Sequence, residues 1–203
     1  PQRAALGPKA TPVCHAQASA SAPLHPMLSV WLSVWLSVCA WQGYAATLGE
    51  REPTTLLAKH ALLSLLVKQG DRAAALTLAR QLSEGSRETF GERHPEAVRV
   101  EYVMATLLHR QGDLEAARPP MRHVLAMRRE LSGQRAPETL AALAALAMLE
   151  KDCGEYGDAR DLLQEAAEGA SAALGADHPK TKSHQRWLAR VEKLCEGGGV
   201  DVR

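Results

Sequence analysis

Residues 90–98 read FGERHPEAV and residues 111–117 read QGDLEAA, and both patterns return along the chain at one spacing. A first glycine column recurs every 42 residues, at Gly49, Gly91, Gly133 and Gly175. A proline follows each of these glycines by four residues, at Pro53, Pro95, Pro137 and Pro179. Further columns with the same step are Gly70, Gly112 and Gly154, the acids Asp71, Asp113 and Glu155, and Ala75, Ala117 and Ala159. Columns that keep one register indicate an internal structural repeat.

Each column has a physical reason. Glycine after a helix adopts the left-handed conformation that closes the helix C-terminus. Proline at the first helical position loses no hydrogen bond, because that N–H has no partner within the helix. The residue before a proline is pushed out of the helical region. Gly-x-x-x-Pro therefore predicts the end of one helix, a short link and the start of the next. Gly-Asp predicts a tighter link, in which the carboxylate caps the second helix.

The repeat predicts an all-α domain over residues 49–196, made of three helical hairpins and a C-terminal capping helix. The repeats are 49–90, 91–132 and 133–174, and the cap is 175–196. We expect helix A at about 53–69, 95–111 and 137–153, and helix B at about 71–89, 113–131 and 155–173. The alanine column lies one turn into helix B, where a small side chain lets the two helices approach closely. A seventh helix, at about 179–196, begins like a helix A, and its many basic residues suit a solvent-facing cap.

Two segments precede the repeats and one follows them. Residues 1–27 are rich in Ala, Pro, Ser and Gln and show no helical or strand period, which predicts disorder. Residues 28–48 contain three tandem copies of Leu-Ser-Val-(Trp/Cys) and no charged residue. Three interpretations of residues 28–48 stay open: a membrane span or signal segment, a degenerate helix before the first repeat, and a translated tetranucleotide repeat. We expect residues 197–203 to be a flexible tail, and the start at Pro1 predicts a fragment, a processed product or a conceptual product.

Composition limits the functions that the chain can have. The formal net charge of +1 gives no reason to expect a nucleic-acid partner. The four cysteines, Cys14, Cys39, Cys153 and Cys195, lack metal-ligand spacing, which predicts reduced thiols in a cytoplasmic protein without a metal or other cofactor. No motif of nucleophilic, metal-dependent or phosphate-binding catalysis appears, so we expect no enzyme. His94 and His178 stand at the links before helices and are predicted to be structural.

The repeat resembles a known family. Residues 48–56 (LGEREPTTL), 90–98 and 174–181 (LGADHPKT) are similar to the link between 42-residue tetratricopeptide repeats, and residues 111–119 (QGDLEAARP) are similar to the start of their second helix. Kinesin light chains and nephrocystin-3-like proteins carry this repeat. The resemblance covers about residues 48–195 and implies a right-handed α-solenoid whose A helices line a concave groove. In the family that groove binds peptides or partner domains, and kinesin light chains hold cargo adaptors in it.

The chain departs from the family pattern at several positions. The family often has Asn-Asn in the middle of helix A, where the amides grip a peptide backbone. Here the pairs are His60-Ala61, Tyr102-Val103 and Ala144-Ala145. The third link has Ala136 where histidine is usual, and Pro119 is followed by Pro120, which predicts a kink in helix B of repeat two.

Carrying the family's groove positions onto helix A gives a candidate partner-binding set: His60, Ser64, Arg99, Tyr102, Thr106, His109, Lys151 and Arg186. Its charged members are all basic, which favours an acidic extended segment as the partner, with Tyr102 as an aromatic contact. The alternative is an ordinary solvated face.

Repeat three has a net charge of −5, from three basic and eight acidic residues. Its acids on helix B recur at helical spacing, at Glu155, Asp158, Asp161, Glu165 and Glu168. Such a row is typical of a solvated face, and the alternative is a second docking surface.

The residues thus predict a non-catalytic protein-interaction module that acts as a scaffold. Two alternatives stay open. One is a kinesin-light-chain-like cargo adaptor, which would need a heptad segment that residues 1–48 do not show. The other is the interaction domain of a larger protein whose catalytic part lies elsewhere.

Overall fold

The computed structural model describes residues 26–196, and within them the chain is helical without a strand. The helices are α1 (Pro26–Leu48), α2 (Pro53–Gln69), α3 (Arg72–Phe90), α4 (Pro95–Gln111), α5 (Leu114–Ser132), α6 (Pro137–Asp152), α7 (Tyr156–Leu174) and α8 (Pro179–Glu196). Helices α2 to α8 begin and end within one residue of the seven helices expected from the repeat. The predicted disorder of residues 1–27 and the predicted tail at 197–203 lie outside the described residues, except that Pro26 and Met27 begin α1.

The glycines of both columns end helices with positive φ, in two different conformations. Gly112 has φ 88° and ψ 5°, the left-handed conformation that the sequence predicts. The N–H of Asp113 then bonds to the carbonyl of Leu108 at 3.1 Å, which completes the usual glycine-terminated helix end. Gly91 has φ 87° but ψ 161°, a combination that only glycine adopts readily. The link to the next helix A therefore demands glycine even more strictly than the turn inside a repeat.

Side-chain caps follow most of the predicted pattern. Asp71 and Asp113 each accept a hydrogen bond from the N–H three residues later, at 3.1 and 3.4 Å. Glu155 makes no such bond, so the predicted cap is wrong in repeat three, where the longer side chain replaces Asp. The Nδ1 atoms of His94 and His178 each accept a bond from the N–H two residues later, both at 3.2 Å, which confirms their structural role.

The links contain a threonine column that the sequence analysis missed. Thr55, Thr139 and Thr181 are fully buried. Their hydroxyls donate to the carbonyls of the glycines six residues earlier, at 2.9, 2.8 and 2.9 Å. These threonines are spaced by 42 or 84 residues, so the sequence alone could have revealed them as another repeat column. Repeat two has Ala97 at this position and does without the bond.

Each helix packs against the next along the chain, and buried hydrophobic residues form two clusters between them. The larger hydrophobic cluster extends from Leu56 of α2 to Ala170 of α7, and a smaller one joins α6 and α7 to Val191 of α8. The alanine column, Ala75, Ala117 and Ala159, has no exposed surface, as close approach within the hairpins requires. Helix α5 continues through Pro119 and Pro120, and the kink there stays a prediction.

The segment 28–48 is helical and lies where a helix B would lie before the first repeat. Helix α1 ends at Leu48, one residue before Gly49, as α3 ends one residue before Gly91. It packs against α2, where Trp41 of α1 lies over the buried Lys59. The segment is thus helical in the structure, and its interpretation as a degenerate repeat helix stays a prediction. None of the described helices is apolar enough over a sufficient length to cross a membrane.

Candidate partner-binding face

The eight candidate residues all lie on A-type helices, and none of them is buried in the core. His60 and Ser64 are on α2, Arg99 to His109 are on α4, Lys151 is on α6 and Arg186 is on α8. Ser64, Arg99 and Arg186 are exposed, and the other five are half-buried. The residues that pack into the core occupy the other positions of the same helices.

His60 is the candidate with the most unusual environment. Its Nε2 atom is buried and has no hydrogen-bond partner within the described part of the chain. Burial lowers the pKa of His60, and the nearby positive charge of Arg99 lowers it further. The ring is therefore neutral near neutral pH and does not add to the positive charge that the sequence suggested.

Arg99 forms an ion pair with Glu96, one turn earlier on α4. Half of the Arg99 side chain stays exposed, so this pair leaves the guanidinium available to solvent. Glu96 was not part of the predicted set. The charge of this part of the face is thus smaller than the basic residues alone indicate.

Tyr102 is held from beside the face by α5. The guanidinium of Arg128 lies 4.2 Å from the centroid of the Tyr102 ring and donates to the backbone carbonyl of Glu138 at 2.7 Å.

The hydroxyls of Thr106 and Ser64 donate to carbonyls of their own helices, at 2.8 and 3.0 Å. The two hydroxyls therefore use their protons locally and keep only acceptor capacity for a partner.

His109 and Lys151 come together at one carboxylate that the sequence analysis did not include. His109 Nε2 lies 2.7 Å from Asp152 Oδ2, and Lys151 Nζ lies 2.6 Å from Asp152 Oδ1. Burial opposes ionisation of Asp152, but hydrogen bonds from Lys151 and His109 outweigh it and lower the pKa of this carboxyl. Because His109 and Asp152 are 43 positions apart, only the stacking of adjacent repeats brings them together.

A cleft of about 310 Å³ lies beside Arg99, between the N-terminal ends of α4 and α6 and the C-terminal end of α5. A second cleft, of about 200 Å³, occupies the same place one repeat later. The first is lined by Arg99, Arg128 and Glu138, and the second has Ala141, Ala170 and Lys180 at the corresponding positions. The first cleft therefore offers more charged and directional contacts than the second.

The predicted acidic row on α7 is partly engaged with the neighbouring repeat. Both carboxylate oxygens of Glu165 accept hydrogen bonds from Arg129 of α5, at 2.6 and 2.7 Å.

Glu150 of α6 is a buried carboxylate that two arginines of α5 neutralise. Arg118 lies 2.7 Å from one of its oxygens and Arg122 lies 2.8 Å from the other. Glu150 stands where Leu66 and Leu108 stand in the other repeats, and that break in an apolar column was the signal that sequence analysis could have used.

Within residues 26–196, no cluster of His, Cys, Asp and Glu has the composition to hold a metal ion. The features of this part of the chain are instead a helical repeat, an unburied face on its A helices and two equivalent clefts. Tetratricopeptide-repeat family models match residues 44–130 and 139–180, which together make up more than half of the chain. The chain belongs to the tetratricopeptide-repeat family.

Solved structures of other proteins have the same fold as this chain. A Podosopora anserina protein assigned as a kinesin light chain, with nearly identical TPR-like repeats, superposes with a TM-score of 0.74 at 22% identity, covering 85% of this chain and 82% of that one. Its Q17M variant gives 0.75 at 22% identity, with 85% and 81% coverage. BtubC (BKLC) of P. vanneervenii gives 0.63 at 17% identity, with 81% and 66% coverage.

These likenesses confirm the predicted fold class, an α-solenoid of tetratricopeptide hairpins like those of kinesin light chains. A search of curated proteins found no match. Tetratricopeptide repeats are generally protein-interaction scaffolds, which supports the same coarse function for this tetratricopeptide-repeat protein.

Proposed function

We propose that this tetratricopeptide-repeat protein binds an extended acidic segment of a partner protein along the face formed by His60, Arg99, Tyr102, His109 and Lys151, without catalysing a reaction. The observation that carries the proposal is the guanidinium of Arg99, which stays half exposed on this face although it is paired with Glu96. A carboxylate of a bound segment would form charge-assisted hydrogen bonds with it.

Exposed guanidinium groups support an acidic partner, although Glu96 and Asp152 balance the charges of Arg99 and Lys151 in the unbound face. Asp152 is a single carboxylate shared by Lys151 and His109, and Arg99 stays half exposed beside Glu96. Arg186, on α8, extends the basic character toward the C-terminal end of the face. An acidic segment would gain charge-assisted hydrogen bonds from the exposed guanidinium groups of Arg99 and Arg186.

Peptide selection tests the proposal directly. We expect peptides selected by the full chain from a random display library to be enriched in Asp and Glu. The double change Arg99→Glu and His109→Glu should weaken their binding at least tenfold, with helicity unchanged by circular dichroism. Arg160→Glu is the matched control, because Arg160 is an exposed arginine on α7, outside this face. Equal affinities for the double variant and the unchanged chain would contradict the use of this face.

A second candidate is a cargo adaptor of the kinesin-light-chain kind, which the fold likeness to the Podosopora anserina protein favours. Such an adaptor pairs with a motor chain through a coiled coil. We propose it as the weaker candidate, because residues 1–48 show no heptad pattern. Co-sedimentation with a purified kinesin heavy chain distinguishes the two, since the interaction module alone should not bind one.

A further inference from the structure

Arg128 of α5 interrupts a column of small buried residues. The corresponding positions of repeats one and three hold Ser86 and Ala170, which are 2% and 0% exposed. In repeat two the same position holds an arginine whose side chain is half-buried. Since the other two hairpins fold with a small side chain here, the fold itself does not require a guanidinium at this position.

The charge of Arg128 has no carboxylate partner among residues 26–196. Its guanidinium lies over the Tyr102 ring and donates to the backbone carbonyl of Glu138, and neither contact neutralises it. The other three arginines of α5 each pair with a glutamate of repeat three, at 2.6–2.8 Å; they are Arg118, Arg122 and Arg129. Arg128 is thus the exception on its own helix.

Holding a charge at this position has a cost. Burial lowers the pKa of Arg128, although Tyr102 and Glu138 act in the opposite direction. A partly desolvated charge that the fold neither needs nor pairs is more often found at a functional site than in a scaffold.

Arg128 lines the cleft of about 310 Å³ that Arg99 also lines. Arg99 belongs to the proposed partner-binding face, and its own column is uncharged elsewhere, with Leu57 in repeat one and Ala141 in repeat three. The equivalent cleft one repeat later has alanine at both positions. Two arginines that only repeat two possesses therefore lie beside one cleft.

We propose that Arg128 and Arg99 together bind one side-chain carboxylate of the acidic segment in this cleft, so that Arg128 fixes the register of the segment. The inference rests on the proposed function and specifies where one acidic residue is selected. The bond to the Glu138 carbonyl uses one of the five N–H donors of Arg128, and a guanidinium presents paired donors that match a carboxylate. Glu96 and Glu138 line the same cleft, so a single negative charge suits it better than the nearly double charge of a phosphate.

A double-mutant cycle between the full chain and a selected acidic peptide tests this assignment. Arg128→Met keeps an unbranched side chain and removes the charge, and it should weaken binding about fivefold or more by fluorescence anisotropy. Each Asp or Glu of the peptide is then replaced by its amide. At one position the amide should cost about fivefold against the unchanged chain and at most about twofold against the Arg128 variant. Arg80→Met is the matched control, because Arg80 is an exposed arginine on α3, outside this cleft.

A structural role of Arg128, exerted through Tyr102, would give a different result. Arg128→Met would then weaken every peptide of the scan by the same factor, and no position would couple to it. That outcome overturns the assignment, and so does tighter binding when phosphoserine replaces the coupled acid. Selected peptides without acidic residues would contradict the proposed function itself.

A second variant keeps the test independent of the folding of the first. Arg128→Lys retains the positive charge but not the paired donors, so its affinity should lie between those of the unchanged chain and Arg128→Met, with the same peptide position coupled. Circular dichroism checks that both variants are as helical as the unchanged chain. An Arg128→Lys chain that is folded and binds every peptide of the scan like the unchanged chain contradicts paired hydrogen bonding by Arg128.

Discussion

Trp41 of α1 and Lys59 of α2 form a cation–π pair, with the ammonium 5.0 Å from the centroid of the indole ring. Lys59 is almost completely buried and also lies 3.4 Å from a carboxylate oxygen of Glu50, which follows α1 in the chain. The corresponding position holds Glu101 in repeat two and Leu143 in repeat three. The pair is therefore specific to the junction between α1 and the first repeat, and it attaches the hydrophobic segment to the solenoid.

Trp41→Ala should detach α1 while the repeats stay folded. The change removes an apolar contact and a cation–π interaction worth about 0.5–2 kcal/mol, and it leaves the Lys59 ammonium with a weaker partner. Hydrogen exchange should quicken across residues 30–48 and stay slow across α4 to α7. Trp187→Ala, which removes an indole from α8, should leave α1 protected. Uniform loss of protection in the Trp41 variant would show that α1 and the repeats unfold as one unit.

Glu150→Ala should lower the free energy of unfolding by about 1–3 kcal/mol, because Arg118 and Arg122 lose the buried carboxylate between them. The cost stays below that of a fully buried pair, since both arginines reach solvent. Glu150→Leu should cost less, because leucine fills the same position in repeats one and two. Urea unfolding measures the free energy of unfolding of the unchanged chain and of the two Glu150 variants. The control Glu168→Ala, on the exposed surface of α7, should change stability by at most about 0.5 kcal/mol.

Thr139→Val should destabilise the fold by about 1–2 kcal/mol although the two side chains have nearly the same shape. The change removes the Thr139 hydroxyl, which is buried. The bonds from this hydroxyl to the carbonyls of Gly133 and Arg128, at 2.8 and 3.2 Å, are lost with it. Thr77→Val is the control, because its hydroxyl bonds to Ala73 on the exposed surface of α3. Similar thermal shifts for both variants would deny the threonine column a structural role.

Acidification below neutral pH should destabilise the protein through His60 and His184. Burial lowers the pKa of both rings, so the unfolded chain binds a proton more readily than the folded chain does. Their contribution to stability is complete above the unfolded value of about 6.5 and is lost as the pH falls from there through the lower folded pKa. Urea unfolding between neutral and mildly acidic pH should show this loss. In the double variant His60→Gln, His184→Gln, the free energy of unfolding should fall less steeply with falling pH. An unchanged pH dependence would show that other groups cause the loss of stability.

The helices could be located from the sequence because their ends depend on local interactions. Gly112 adopts a conformation that other residues resist, and Asp113 caps the helix that begins at the next residue; neither needs a distant partner. The repeat spacing was likewise enough to predict which positions of helix A correspond to the family's groove. Glu150 could have been noticed as a charge in a leucine column, but its two arginines belong to a different repeat.

The pairing across repeats was set by tertiary structure. His109 meets Asp152, and Trp41 covers Lys59, because rigid helices stack with particular faces in contact, and residues far apart in sequence become neighbours. The repeat pattern by itself determined the number, length and order of helices α2 to α8, since turns and caps are short-range. Only the packing decided which charges are neutralised and which are left without a partner, because those depend on the atoms that neighbouring helices bring to each surface.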